Sequence, residues 1–358
     1  MMLQDSPKVF RWAFSCRWNL VRAARGLLAL VLVGTAPGCF FVQADLNPFR
    51  TRPEPLVERK LEGRGKDKVL LVDVSRLIVS AERPGLFGGA APSLLARVRE
   101  ELKRAAEDER VRAVVLRINS PGGTVTASDT LYHEIREFGS RTGRPIVAHL
   151  LDVGTSGAYY VALAADEIVA SPTTVTGSIG VLLAGVNLSG LLDKLGVKDQ
   201  TLKSGTLKDA GSPLRPMTPE DRAVLERVLV AMHERFLQVV RERRPALRAE
   251  AWDTIRDGRV FFADEALALG LVDQIGYLND AIERAKRRAN VSEATVISYR
   301  RPSQYAENIY STLAAADFPR LPWFHALAGE LTLLSTGPQF WYIWAPDATL
   351  WPSGGASP

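Results

Sequence analysis

The 358-residue chain has only two cysteines, Cys16 and Cys39, and both lie near its N-terminus. The rest of the chain therefore has no internal disulfide, no cysteine nucleophile and no cysteine-containing metal site. Histidine is almost as scarce, with four residues: His133, His149, His233 and His325. Their spacing is not that of a zinc site. We expect no metal and no other cofactor.

A charge imbalance is also missing from most of the sequence. Lys and Arg total 45 and Asp and Glu total 40, but residues 1–38 contain five basic residues and one acidic residue. From Cys39 onward the chain carries 40 basic and 39 acidic residues. A nucleic-acid-binding domain concentrates positive charge on its folded surface. We therefore do not expect a nucleic-acid partner.

Residues 26–42 form an uncharged, mainly apolar run behind those basic residues. This charge distribution keeps the N-terminal side in the cytoplasm and exports the part of the chain on the C-terminal side of the run. A lipoprotein signal would make Cys39 the acylated new N-terminus. A retained anchor is the alternative, and its 17 residues are at the short end of the about 17–25 that span a bilayer. A buried core helix is a third, less favoured interpretation. The first two tether an extracytoplasmic body to a membrane.

The remaining chain divides into three parts by composition. Residues 43–67, rich in proline and mixed charge, resemble a linker. Residues 68–299 predict a domain, and residues 300–358 an aromatic-rich tail that contains Trp341 and Tyr342. The tail fits three interpretations: packing against the domain or a neighbouring subunit, contact with the membrane interface, or disorder.

Within the domain, short β-branched runs alternate with helical patterns. The predicted strands cover residues 68–74, 111–118 and 145–150, and the predicted helices cover 92–107, 126–139 and 218–244. A further βα-like stretch covers residues 258–285. Strands that alternate with helices of this length favour repeated βαβ units and a covered parallel sheet. The predicted fold class is therefore α/β.

Two glycine-containing motifs each follow a predicted strand. Residues 119–123 read N-S-P-G-G, and their backbone N–H groups could hold a developing oxyanion. Residues 154–160 read G-T-S-G-A-Y-Y and present Ser156 on a turn before a helix. Each motif alone favours a structural interpretation: an ordinary strand-to-helix turn for residues 119–123, and a helix cap for Ser156.

A serine nucleophile needs a base, and the positions of the histidines favour surface or packed roles. Lysine can serve as the base when its amine is neutral, which burial or a nearby positive field brings about. The sequence L-K-S-G-T-L-K-D at residues 202–209 offers Lys203 and Lys208. Chemistry alone does not separate them, and a solvated surface lysine is the default for each.

The motifs together resemble the signal peptide peptidase SppA family of membrane-bound Ser/Lys proteases. They are N-S-P-G-G, G-T-S-G-A-Y-Y, T-G-S-I-G at residues 176–180, K-S-G-x-x-K-D, and D-G-R-V-F with G-L-V-D-x-I-G between residues 257 and 276. They occur in the family's order, and the resemblance covers about residues 68–290. It implies a ClpP/crotonase-like fold.

The resemblance also implies roles for individual residues. Ser156 matches the nucleophile, Lys208 the general base, and Ser178 the serine that orients the lysine. Ser156 and Lys208 are 52 residues apart, as in compact single-domain members. Gly123 matches the residue whose N–H belongs to the oxyanion hole, with Gly157 as a second donor. Lys203 is then a non-catalytic neighbour.

The implied function is a membrane-tethered serine endopeptidase that degrades cleaved signal peptides and other unfolded or apolar peptides. The implied location is the bacterial inner membrane, with the catalytic domain on the extracytoplasmic, periplasmic side. Family members form rings with active sites shared between protomers, so we expect a homo-oligomer. The alternatives are a catalytically silent membrane-associated scaffold, or another ClpP/crotonase-fold enzyme such as a Ser-His-Asp protease or an enoyl-CoA hydratase.

Overall fold

The computed structural model of the chain describes residues 55–80, 83–84, 90–248, 250–302, 304, 306–311 and 339–344. The strands are β1 (Val57–Gly63), β2 (Asp67–Ser75), β3 (Arg83–Pro84), β4 (Ala90–Ala91), β5 (Val111–Ser120), β6 (Gly122–Thr124), β7 (Ile146–Thr155), β8 (Glu167–Ala170), β9 (Val175–Gly177), β10 (Leu182–Ala184), β11 (Val260–Phe262), β12 (Gln274–Ile275), β13 (Ala294–Arg300) and β14 (Gln339–Ile343). The helices are α1 (Leu94–Glu107), α2 (Val125–Thr142), α3 (Gly157–Ala162), α4 (Ser189–Lys194), α5 (Pro219–Arg243), α6 (Ala251–Ile255), α7 (Ala263–Leu269) and α8 (Leu278–Arg288).

The central sheet is mostly parallel, with strand order β1-β13-β2-β5-β7-β8-β12. Strand β9 pairs in parallel with the end of β7 and antiparallel with β11. Only the outer pair β1–β13 is antiparallel along the main path. A second, three-stranded sheet has the order β10-β14-β6. In the central sheet, the adjacent parallel strands β5 and β7 end within the two glycine motifs, at residues 119–123 and 154–160.

Both faces of the central sheet are covered, as expected for parallel strands. Along β2, Leu70 and Val72 belong to a large core with α1, α2, α3 and α5. Their neighbours Val69 and Leu71 belong to a smaller core with α8 on the opposite face. Successive side chains of a strand point to opposite faces, which explains why these strands read as continuous apolar runs.

Most of the predicted strands and helices are confirmed, and each begins within two residues of its predicted first residue. Strands β2, β5 and β7 match the three predicted strands, and α1 and α2 match the first two predicted helices. The predicted cap of the long helix α5 is also confirmed: Thr218 Oγ1 accepts from the Asp221 amide at 3.1 Å, and Asp221 accepts from the Thr218 amide at 2.9 Å.

Two segments differ from the sequence interpretation. Residues 57–63, assigned to the linker, form the edge strand β1. Three of its four charged residues are exposed because an edge strand has water on one side, and this is why the sequence V-E-R-K-L-E-G resembles a linker. Residues 339–343, assigned to the tail, form β14. The domain strand β13 ends at Arg300, close to the predicted boundary at residue 299.

The described helices contain none that is long and apolar enough to cross a membrane. Residues 26–42 and Cys39, on which the signal and anchor predictions depend, lie outside the described residues.

Candidate active site

Ser156 lies at the sharp turn between β7 and α3, with φ +53° and ψ −119°. A positive φ is unusual for a residue with a side chain, and such strain costs on the order of 1–3 kcal/mol. The surrounding backbone holds it in place: the Ser156 amide donates to the Gly177 carbonyl at 2.7 Å, and its carbonyl accepts from the Tyr160 amide at 2.9 Å. Backbone strain of this kind concentrates at functional sites.

The hydroxyl of Ser156 is buried and has no hydrogen-bond partner among the described residues. The whole residue is only 1% exposed. A buried hydroxyl without a partner costs about 1–3 kcal/mol, so native structures rarely retain one without a reason. This residue does not act as a helix cap, because its side chain makes no hydrogen bond to the start of α3.

The amides of Gly123 and Gly157 lie close together beside this serine. A Cβ atom on Gly157 would lie 3.1 Å from the Gly123 nitrogen, and a Cβ on Gly122 would lie 2.9 Å from the Gly157 nitrogen. The neighbouring backbone of Ile78 bonds the Gly122 carbonyl and the Thr124 amide, each at 2.9 Å. The Gly123 amide therefore faces the other way, away from Ile78.

Gly157 is the first residue of α3, and the first amides of a helix have no intrahelical acceptor. The amides of Gly123 and Gly157 thus lie close together next to Ser156, and a pair of N–H groups is able to stabilise an oxyanion. The structure brings together the three residues for which the sequence predicts nucleophile and oxyanion-hole roles.

Ser178 also lies in this cluster. Thr155 at the end of β7 pairs in parallel with Gly177 at the end of β9, and Ser156 and Ser178 are the residues that directly follow the two strands. Ser178 has φ +52° and is 7% exposed. Its amide donates to the carbonyl of Arg259 at 2.8 Å. The predicted lysine-orienting serine is therefore a near neighbour of the predicted nucleophile.

The two candidate lysines differ in their contacts. Lys203 Nζ donates to both carboxylate oxygens of Asp209, at 2.7 and 3.0 Å. Asp209 also accepts from Arg215 at 2.9 and 2.7 Å, and these contacts lower the pKa of its carboxyl well below the ordinary value. Lys208 is exposed in the same turn, and its amine makes no hydrogen bond or ion pair with any described residue. Within one chain, Lys208 makes no hydrogen bond to the Ser156 hydroxyl.

Three of the four histidines are described, and none of them contacts Ser156. His149 is buried, with Nε2 3.2 Å from the Gly276 carbonyl and 3.3 Å from Ser171 Oγ. Burial lowers the pKa of His149 to about 4. His233 Nε2 lies 3.2 Å from the Ile179 carbonyl. His133 is exposed beside Glu137, and His325 lies outside the described residues.

The sequence interpretation missed one component of the site. Strand β14 lies directly beside β6, and Tyr342 pairs with Gly123. The Tyr342 ring is buried against Tyr160 and Phe236. The sequence signal was the aromatic composition of the tail, but composition does not identify the partner strand.

Comparison with known proteins gives a family match over this region. Peptidase family S49 matches residues 139–292. A putative signal peptide peptidase SppA of Enterococcus faecium is 34% identical over 292 residues, which cover 79% of this chain and 84% of that protein. A putative protease of Methanocaldococcus jannaschii is 37% identical over 193 residues, 54% of this chain and 61% of that protein. Protease 4 of Haemophilus influenzae is 28% identical over 255 residues, 71% of this chain and 40% of that protein. The chain thus spans less than two thirds of the last two relatives.

Proposed function

The chain belongs to peptidase family S49, which includes SppA, and we propose that it is a serine endopeptidase with a Ser156/Lys208 dyad shared between subunits. The fold agrees with this family: it is the predicted ClpP/crotonase-like α/β fold with a mostly parallel sheet. The observation that carries the proposal is the strained, buried Ser156, whose hydroxyl has no hydrogen-bond partner among the described residues and lies beside the amides of Gly123 and Gly157.

A second copy of the chain supplies the base in this proposal. The segment around Lys208 exposes many large apolar side chains, namely Val186, Leu191, Leu195, Val197, Leu202, Leu207, Leu214 and Met217. Exposed large apolar side chains that form a contiguous patch are typical of protein interfaces, and we infer that this segment forms such an interface. Association of subunits through residues 186–217 would remove Lys208 from water. Desolvation disfavours the charged amine, as a lysine base requires.

The proposed reaction is acyl transfer. The neutral Lys208 amine of a neighbouring subunit takes the proton of Ser156 Oγ, which attacks a peptide carbonyl carbon. The amides of Gly123 and Gly157 stabilise the oxyanion. The lysine then gives its proton to the leaving amine, and the same groups activate a water molecule that hydrolyses the acyl-enzyme. Ser178 orients the lysine during both steps.

The substrates in this proposal are cleaved signal peptides and other unfolded or apolar peptides. An N-terminal lipid on Cys39, or an anchor over residues 26–42, holds the domain on the periplasmic face of the bacterial inner membrane. Tethering raises the local concentration of substrates in the same membrane. The uncharged run behind five basic residues supports this location.

The test is digestion of casein and of a synthetic signal peptide by the full chain, together with labelling by a fluorophosphonate probe. Ser156→Ala and Lys208→Ala are each expected to lower cleavage by on the order of 10⁴–10⁶-fold. Lys203→Ala is the matched control and is expected to remain active, because Lys203 is bound to Asp209. Loss of activity in Lys203→Ala with retention in Lys208→Ala would reverse the assignment. Unchanged cleavage and labelling in Ser156→Ala would contradict the serine mechanism.

A further inference from the structure

Strand β7 leaves its regular register with β5 shortly before the turn that carries Ser156. One residue of β5, Asn119, lies opposite three residues of β7, at positions 151–153. These three residues form a bulge, called the β7 bulge below, that ends three residues before Ser156. Bulges are frequent next to active sites, where they change the direction of a side chain. The path of β7 through this bulge therefore determines where the nucleophile turn begins.

The side chain of Asn119 fills the gap that the β7 bulge leaves beside β5. Its Nδ2 donates to Asp152 Oδ2 at 2.9 Å, and its Oδ1 accepts from the Val153 amide at 3.2 Å. The Val153 amide is displaced from the regular ladder by the bulge, and a side chain supplies the acceptor that the ladder does not. The two contacts require one donor and one acceptor, and the side-chain amide of asparagine offers both.

The backbone of Asn119 remains paired with the strand on its other side. Asn119 lies opposite Ser75 of β2, and its carbonyl accepts from the Arg76 amide at 3.1 Å. Asn119 is also the first residue of the N-S-P-G-G motif that contains Gly123. A single residue therefore connects the end of β2, the start of the predicted oxyanion loop and the β7 bulge.

Two threonines hold the backbone around the β7 bulge from the side of β9. Thr174 Oγ1 lies 2.9 Å from the carbonyl oxygen of Leu150 and 2.5 Å from that of Leu151. Thr176 Oγ1 donates to the Gly154 carbonyl at 2.7 Å. Both threonines are buried. Polar side chains thus fix the bulge from both sides, with Asn119 as its contact on the side of β5.

On the premise of the proposed function, we propose that Asn119 is a positioning residue of the active site, which sets the Ser156 turn against the Gly123 amide. Ser156 follows β7 and Gly123 follows β5, so the separation of the two groups depends on the register between these strands. A misplacement of about 1 Å costs about 10² in rate. Asn119 controls this register through Asp152 and Val153, and does not act on the reacting atoms themselves.

A reciprocal exchange of the two side chains tests the pairing in the full-length protein. Asn119→Asp places two carboxylates at hydrogen-bond distance, so that they separate or take up a proton. The kcat for a synthetic signal peptide should fall by about 10–100-fold, with KM changed by less than about threefold. Asp152→Asn keeps an acceptor for Asn119 but removes its charge, and should lower kcat by about threefold. Asn119→Asp/Asp152→Asn interchanges donor and acceptor, and should return kcat to the level of Asp152→Asn.

Two results of this exchange would overturn the proposal. One is a wild-type kcat in Asn119→Asp, and the other is a double variant that is no more active than Asn119→Asp. A pair of alanine variants provides the control. Asn308 is an exposed asparagine whose Oδ1 also accepts a backbone amide, from Tyr310 at 2.9 Å. Asn119→Ala should lower kcat by about 100-fold, whereas Asn308→Ala should keep it, and equal kcat values for the two would also overturn the proposal.

The rate at which a fluorophosphonate labels Ser156 separates positioning from folding. In folded Asn119 variants this rate should fall by the same factor as kcat, whereas loss of a merely structural contact would lower the free energy of unfolding and leave the labelling rate unchanged. Asp152→Ala, at an exposed position, covers the case in which the Asn119 variants do not fold. It removes the acceptor of Nδ2 and should slow labelling about fivefold, the value of one hydrogen bond. A wild-type labelling rate there would overturn the proposal, whereas failure of the proposed protease function would show as labelling that survives Ser156→Ala.

Discussion

Ser156 and Ser178 directly follow the paired ends of two neighbouring parallel strands, and their φ values are +53° and +52°. Two adjacent serines with the same strained backbone form the centre of the candidate site. The strain at Ser156 is maintained by hydrogen bonds to Gly177 and Tyr160. The position of both side chains is therefore set by the ends of β7 and β9, before any substrate or second subunit arrives.

Ser178→Ala should lower kcat by roughly 10–100-fold while the protein stays folded, because a misplaced catalytic group costs up to about 10² in rate. The Ser178 amide keeps its bond to Arg259 in this variant, so the loop is retained. Peptide cleavage across a range of pH is the measurement, and a role in positioning the lysine should also shift the acidic limb of the profile. Ser140→Ala, at an exposed position on α2, is the control. A wild-type rate and profile in Ser178→Ala would exclude this role.

Gly157→Ala keeps its backbone N–H, but the added methyl group should push this amide out of the oxyanion position, so we expect kcat to fall by about 10²–10³, the usual effect of losing an oxyanion donor. The added methyl group would lie 3.1 Å from the Gly123 nitrogen and would collide with Ser128 Oγ. The measurement is steady-state cleavage of a signal peptide by folded protein. Gly143→Ala serves as control: its φ of +65° makes alanine unfavourable there, but apart from the two adjacent residues no atom of the described residues lies within 4 Å of the new Cβ. It should lose about 1 kcal/mol of stability and keep its kcat. Comparable kcat values for the two variants would rule out the Gly157 amide as a donor.

The buried His149 predicts a pH dependence of stability. Burial lowers its pKa to about 4, so the unfolded chain binds a proton below about pH 6.5 and the folded chain does not until about pH 4. The free energy of unfolding should therefore fall as the pH decreases through this window, by on the order of 3 kcal/mol from this residue. Urea unfolding at about pH 7 and about pH 4.5 measures it. His149→Gln should remove most of this difference, and an unchanged pH dependence in that variant would contradict the assignment.

The sequence predicted the parts of this protein that depend on local patterns. Apolar runs gave β2, β5 and β7, and the threonine-proline-acid pattern gave the start of α5. The glycine motifs were found because they follow those strands directly. Their convergence required the parallel order of β5 and β7, which follows from the βαβ pattern.

The sequence did not predict the parts that depend on distant pairing. Strand β1 has the composition of a linker because its exposed edge carries charge, and its partner β13 lies more than 200 residues along the chain. Strand β14 pairs with β6 over a similar separation, and the tail composition was compatible with three different environments. The sequence offered no chemical difference between Lys203 and Lys208. The structure distinguishes them, because Lys203 forms an ion pair with Asp209 that the sequence does not reveal.

The most direct test of the shared Ser156/Lys208 site is complementation between two inactive chains. Ser156→Ala and Lys208→Ala proteins carry different affinity tags and are co-expressed, so that mixed assemblies are isolated through both tags. If the dyad forms between subunits, random mixing pairs an intact serine with an intact lysine at about one quarter of the sites. Mixed assemblies should then recover about that fraction of wild-type casein cleavage, while each variant alone remains inactive. Mixed assemblies with no more activity than the single variants would contradict a dyad formed between subunits.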